Sequence, residues 1–456
     1  MLDTGGDRAM MLVRIKMARL RFLRVLAIAV CAAAGASSGQ FLEAVVPTGD
    51  TPGEIIWDPA VNKVYCVNEQ DASITVISGE TNQVLATIQV GDYPSFLCLN
   101  ADGSKLYCSR GEENRLVVVD TRADTVIKTL NLPNYPGHMV FNSTMSKLYI
   151  SCNDDPVYRI AVLDAMADTV IRYIPAREVG RLLWSPATNR VFCCGADTIK
   201  VIDCLTDEIA VRMQGGGDVW CYNAVNDLVY LAARHSIYVL SPYGDSVVAQ
   251  VPGWAYDVAA VPFTNKVYAS GSAAGIQVID GASNLVVDTI PVVAGGMVCD
   301  TSKGRLYALG AGVHILDARA DTLIKTIPLG NAPRAICWNR TNSRVYISDE
   351  FDNVVYVIRD TSTGVAEGNS LGRSSVLFEA RPNPFRSSVL IRCLHEAGQD
   401  APVRIYAQTG MLVRTLAGGG PWHWDGRDDH GRPVPAGVYV LRSTGEAGAL
   451  LVVKSG

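Results

Sequence analysis

Histidine is scarce in this chain. Its 456 residues hold six, at 138, 235, 314, 395, 423 and 430. A haem or copper site built round a ring of repeats would need several histidines at equivalent places, and no two of the first three are equivalent in the repeat described below. The elbow G-x-S-x-G, the P-loop, H-E-x-x-H and the dinucleotide fingerprint are all missing. So are C-x-x-C pairs and Cys/His clusters with zinc spacing. Past residue 36 no run reaches the ~18 apolar residues of a membrane helix, and helical periodicity is absent from 41 to 364. No basic block follows residue 36 either. The first 36 residues sum to +4 and the remainder to -9, which argues against nucleic acid as a partner. Nothing calls for a cofactor or a metal.

The start of the chain has its own pattern. A basic stretch, RIKMARLRFLR (14–24), precedes twelve apolar residues, VLAIAVCAAAGA (25–36), and then SSGQ. Twelve are too few to cross a bilayer, and small residues follow, so residues 1–38 read as a secretory signal peptide. Val30 stands where a lipid-attachment box before Cys31 would want a small residue, which disfavours lipidation. Eleven cysteines remain after the signal, an odd number. They read as small buried strand residues.

Residues 120–136 say DTRADTVIKTLNLPNYP, and residues 317–333 say DARADTLIKTIPLGNAP, identical at eleven of seventeen positions. One aromatic gives the period. Tyr65, Tyr107, Tyr149, Phe192, Tyr230, Tyr268, Tyr307 and Tyr346 lie 42, 42, 43, 38, 38, 39 and 39 residues apart. Each unit holds four short β-rich runs between Gly, Pro, Asn and Asp turns, as in VLATIQV, SFLCLN, KLYCSR and LVVVD. Four strands per ~40 residues is the pattern of a propeller. The first unit opens with an outer-type strand, FLEAVV (41–46), and the last ends one strand short, so the amino-terminal strand is expected to close the ring. The Asp pairs 120/124, 164/168 and 317/321 read as turn residues. A calcium loop would need more carboxylates in series.

YCVN (65–68), VGDYP (90–94) and VIDCLTDE (201–208) resemble the YVTN β-propeller repeat family over about 320 residues. That family is usually described as seven-bladed, whereas eight units are counted here. The expected fold is all-β: an eight-bladed, alternatively seven-bladed, propeller over 41–360. A polar linker, 361–379, leads to a small Ig-like β-sandwich over 380–456. The last stretch resembles both the C-terminal sorting domain of type IX secretion and the Ig-like domain of flagellar hook-capping proteins. The residues that carry the likeness are Pro382, Asn383, Pro384, Phe385, Trp424, Asp425, Gly426, Arg427, Gly431, Gly437, Tyr439 and Lys454. The resemblance implies export, with secretion machinery as a partner and surface attachment or release as the outcome. Core and turn roles for the same residues are the plainer alternative.

One position in each unit faces the channel mouth, eleven residues before the aromatic. It holds Glu54, Phe96, His138, Arg181, Val219, Asp257, Gly296 and Ala335 in turn, and one residue earlier stand Asp218 and Arg334. Glu54, His138, Arg181, Asp218, Asp257 and Arg334 are therefore the candidate ligand-binding set, for a protein, peptide or glycan at the rim. Solvated rim residues are the alternative. Three functions compete: an exported, monomeric binding or scaffold module; a lyase or hydrolase with His138 as base and Arg181 as anion clamp; and a metal-bound redox propeller, which the histidine count disfavours.

Overall fold

The computed structural model describes residues 39–361 and 378–454, less 134, 154–157, 178, 196, 234, 273, 383–384, 394–401, 408–411, 419 and 444–448. The expected signal peptide, most of the expected linker, and Asn383 and Pro384 lie outside the described residues. Those described are all-β with no α-helix, and no helix among them is long and apolar enough to cross a membrane.

Strand β1 (Gln40–Pro47) precedes the first complete sheet: β2 (Pro52–Asp58), β3 (Lys63–Asn68), β4 (Ser73–Ser78) and β5 (Val84–Gln89). Six more four-stranded antiparallel sheets follow in chain order. Their inner strands are Pro94–Leu99, Pro136–Asn142, Leu182–Ser185, Val219–Asn223, Asp257–Val261 and Met297–Asp300. The eighth sheet holds Pro333–Asn339, Arg344–Asp349 and Val354–Asp360, and its outer strand is β1. Each inner strand touches the next, and Pro333–Asn339 touches β2, so the ring is closed. This is a β-propeller.

The strands beside the inner ones are buried along their length, and all eight period-setting aromatics are wholly buried on them. A buried tyrosine hydroxyl needs a partner, or it costs about 1–3 kcal/mol. Seven of the eight are tyrosines, and each hydroxyl reaches the following sheet. Tyr65 donates to Asp124 at 3.3 Å, Tyr107 to Asp168 at 3.2 Å, Tyr149 to Asp207 at 2.5 Å and Tyr268 to Asp321 at 2.5 Å. Tyr230 donates to Asn284, Tyr307 to Asp360 and, across the seam, Tyr346 to Asn82. The same carboxylates pair with the lysine two residues before the tyrosine: Lys63–Asp124 and Lys105–Asp168 at 2.7 Å, Lys147–Asp207 at 2.6 Å, and Lys266–Asp321.

The two acids of the repeated turn therefore divide the work. The first holds the turn: Asp120 accepts the backbone N–H groups of Arg122 and Ala123 at 2.9 Å. The second sits at positive φ, 53° at Asp124, 51° at Asp168 and 56° at Asp321, a region Asp and Asn tolerate best after Gly. From there it reaches the preceding sheet. Phe192 lacks a hydroxyl, and the turn facing it is different. Gly244 (φ 65°) lies so close that a Cβ there would stand 2.6 Å from the Phe192 ring.

The ten cysteines whose side chains are described are free thiols. Cys66, Cys108 and Cys193 are wholly buried, and burial pushes each thiol up to about 12, which keeps them unreactive.

Residues 378–454 form a three-stranded sheet, Phe378–Arg381, Val389–Cys393 and Trp422–Trp424, and a four-stranded sheet, Val403–Ala407, Leu412–Leu416, Gly437–Ser443 and Ala449–Lys454. Both contribute to one core, in which Trp424 packs between Phe385 (5.2 Å between ring centroids) and Tyr439 (4.9 Å). Trp422 joins that core from the same face, as residues two apart on a strand do.

Removing one latch acid should expose the dependence of one sheet on the next. Asp168→Ala strands the Lys105 ammonium and the Tyr107 hydroxyl and is expected to cost about 3 kcal/mol. Tyr107→Phe, which removes the hydroxyl and leaves the Lys105–Asp168 pair in place, should cost about 1 kcal/mol. Urea denaturation of the two variants checks the order, and equal losses would contradict the latch.

Candidate functional site

Inner strands begin at one rim, and the chain prepares that start in a repeated way. Thr51, Tyr93 and Tyr135 have positive φ, and each is followed by the proline that opens a strand, Pro52, Pro94 or Pro136. The ladder then slips by one place, between Pro52 and Ile55, Pro94 and Phe96, Pro136 and Met139, and Pro333 and Ala335. An extra residue in a strand bends it and re-aims side chains. Glu54, His138 and Arg334 all fall within these slips.

The result is one cavity of about 980 Å³ at the channel mouth. Glu54, His138, Arg181, Asp257 and Arg334 line it, from the first, third, fourth, sixth and eighth sheets. Asp218 is not among its lining residues. It is exposed, and its backbone N–H bonds the Ala232 carbonyl at 3.2 Å. Glu69, from the acidic loop NEQD (68–71) expected at this rim, also lines the cavity, as do Tyr135, Met139, Tyr256 and Met297, which were outside the candidate set. An aromatic just before a strand-opening proline was the available signal for Tyr135.

The charges are unevenly matched. Arg334 is held by Glu69 at 2.7 Å, with Glu350 at 3.8 Å. Arg181 makes no hydrogen bond or ion pair through its guanidinium with any described residue. Neither Glu54 nor Asp257 has a basic nitrogen within ion-pair distance among the described residues. Asp257 instead accepts the N–H groups of Met297 (2.7 Å) and Val258 (3.0 Å). Burial pushes the Glu54 carboxyl up to about 7, against the pull of Arg181 and Arg334. Burial also raises Asp257 to about 6, against the Met297 N–H and Arg181. His138 is lowered to about 4, first by burial and then by Arg181, and its ring meets that of Phe96 at a tilt of 45° with centroids 3.8 Å apart. It is neutral at physiological pH. Among the described residues no group of His, Cys, Asp and Glu is placed to hold a metal ion.

The carboxy-terminal motif residues have structural work in hand. Trp424 donates its indole N–H to the Arg427 carbonyl at 2.9 Å, and Tyr439 donates its hydroxyl to the Pro435 carbonyl at 2.6 Å. Asp425 accepts the Arg427 N–H and pairs with Arg414. Arg427 reaches the Gly431 carbonyl, and Lys454 the Val434 carbonyl. Gly426 (φ 70°) and Gly431 (φ 76°) supply left-handed turns. Gly437 has open space round it and no positive φ, so nothing in the structure demands glycine there.

No family model and no curated protein matches the chain. Solved structures do match. Hydrazine synthase from Kuenenia stuttgartiensis aligns over 72% of this chain and 98% of that chain at 16% identity, with a TM-score of 0.50. BamB from Moraxella catarrhalis aligns over 70% and 99% at 12% identity, with a TM-score of 0.57. At these identities the likeness shows the fold, a β-propeller.

The raised carboxyl gives a signed prediction. Between pH 4.5, the ordinary value, and about 7, folded Glu54 binds more protons than the unfolded chain does. Stability from this group therefore falls as pH rises through that window and is level above it. The groups facing it are Arg181, Arg334, His138 and Asp257. Glu54→Gln stays neutral throughout. It should melt with wild type at pH 4 and above it at pH 8, the difference having a ceiling of about 3 kcal/mol. Melting midpoints at the two pH values check the sign.

Proposed function

We propose that this protein is an exported, eight-bladed β-propeller of the YVTN-like kind that binds a small polar or peptide ligand at its channel mouth. We further propose that its carboxy-terminal Ig-like module, residues 380–456, directs secretion or attachment. The observation that carries the binding reading is convergence: five residues scattered over 280 positions of sequence, Glu54 to Arg334, line one cavity. The unpaired Arg181 supports an anionic group on the ligand. Catalysis at His138 is disfavoured, because its ring nitrogens bond no described residue that would orient them. Support for export comes from the sequence: the basic-apolar start and the likeness of the last strands to sorting and hook-capping domains.

Each half has its own test. For the binding half, thermal melting of the full chain in a small-molecule extract of its host should shift upward for wild type and stay put for Arg181→Gln. The absence of any wild-type shift would sink the reading. For the export half, fractionation of the host with intact-mass analysis should find a form starting near Ser37 at the surface or in the medium, trimmed before about Arg381. A full-length mature form confined to the periplasm would make the last module a permanent structural part instead.

A further inference from the structure

Of the charged groups at the mouth, Arg181, Glu54 and Asp257 are in no ion pair with a described residue, and they stand inside a partly aromatic wall. Arg181 immediately precedes the inner strand of the fourth sheet, Glu54 sits in that of the first, and Asp257 in that of the sixth. A ligand that completes all three must carry both signs of charge. An acidic sugar would satisfy Arg181 alone. A basic one would satisfy the carboxyls and leave the guanidinium bare. The wall adds a second requirement. Tyr135 and Tyr256 line the cavity while each keeps about half its surface exposed, 47% and 58%. Phe96, on the second sheet, also lines the cavity, its ring in tilted contact with His138. Half-exposed aromatics beside polar groups are surfaces on which apolar side chains bind well.

Size narrows the class. Arg181, Glu54 and Asp257 belong to three different sheets round one cavity, and a ligand that meets all three has to reach across it. Each added residue lengthens a ligand by about 3.5 Å. The cavity volume of about 980 Å³ lies at the upper end of ordinary ligand pockets.

We propose that the channel mouth takes a short peptide with both ends free and apolar side chains: its carboxylate on Arg181, its ammonium between Glu54 and Asp257, and its side chains against Tyr135, Tyr256 and Phe96. The inference deepens the binding reading above and rests on it. Asp257 can serve while holding two backbone N–H groups, because each carboxylate oxygen has a second acceptor site.

Titration calorimetry on the full chain tests it with five probes: Phe-Ala, its N-acetyl form, its C-terminal amide, free Phe and galacturonate. Phe-Ala should bind, and blocking either end should weaken it about tenfold or more. Arg181→Gln should lose as much affinity for Phe-Ala as the amide loses on wild type, with little further loss when the two changes are combined. Glu54→Gln should do the same with N-acetylation. Arg181→Gln should still melt as a folded, cooperative chain, since the guanidinium makes no hydrogen bond or ion pair with any described residue. Free Phe binding as tightly as the dipeptide would overturn the peptide and leave a single amino acid. Galacturonate binding without Phe-Ala would overturn the class while the extract-induced shift stood. Silence from all five probes with the Arg181-dependent shift intact overturns only the peptide. Silence in both experiments overturns the binding reading too.

Discussion

The tyrosine–lysine–aspartate latch is the contact on which the ring depends. A single sheet of four strands cannot cover its own two faces, and stacking alone would allow neighbours to slide. The latch fixes the register of one sheet on the next, because a buried hydroxyl and a half-buried ammonium must meet one carboxylate. Its net contribution is modest when made and large when half broken, the ordinary asymmetry of buried polar pairs. The fourth sheet supports this account from within the chain. There Phe192 replaces tyrosine, and the opposing turn carries Gly244 against the ring where the others place an Asp or Asn acceptor. Hydroxyl and acceptor are absent together.

The seam solves the same problem with different residues. The eighth sheet has no turn between its third and outer strands, because the outer strand comes from the other end of the chain. Asp360, at the end of the third strand, takes the place of the missing turn acid and receives Tyr307. Outer strands in the other sheets carry an extra residue where the ladder slips, and it is aliphatic and exposed at Leu85, Ile127, Ile171, Val248, Val287 and Ile324. In β1 the slip falls between Leu42 and Ala44, and the extra residue is Glu43. It accepts from Arg344 at 2.9 Å, Arg359 at 3.0 Å and Asn82 at 3.1 Å. Burial alone would raise this carboxyl, but the arginine and asparagine bonds outweigh it and hold it below its usual value. A closing strand thus gains a charged clasp at a place where the other strands need none.

Much of the fold was legible because repetition is itself a measurement. The aromatic spacing located every strand group, and Gly, Pro and Asp marked the turns. The latch was not legible in full. Lys105 and Asp168 are 63 residues apart, and only the stacking of consecutive sheets brings them together. The mouth was legible as a register position and not as a shape. Arg334 and Asp218 share one position relative to their aromatics, yet only Arg334 lines the cavity, because its strand slips at that residue. Tyr135 and Tyr256 escaped notice because they precede the strands, and their approach depends on the backbone of the connecting turns. In the last module the paired tryptophans announced the core, whereas Gly437 carried a sequence resemblance that its surroundings do not require.

The eight repeats also act as an internal alignment that separates structure from function. At the latch rim the same types recur, Lys or Arg, then Tyr, then Asp or Asn, with Leu228 and Phe192 as the exceptions. At the mouth rim the equivalent position reads Glu, Phe, His, Arg, Val, Asp, Gly, Ala. Packing demands explain the first pattern, since a poor latch costs stability wherever it occurs. They do not explain the second, because side chains at the mouth leave the sheet contacts and point at shared space. A ring gives each repeat one vote on the composition of that space. With the ring held by contacts at the opposite rim, those votes are free to differ, and the combination of one unpaired guanidinium, two carboxyls and an aromatic wall is what this chain has made of that freedom.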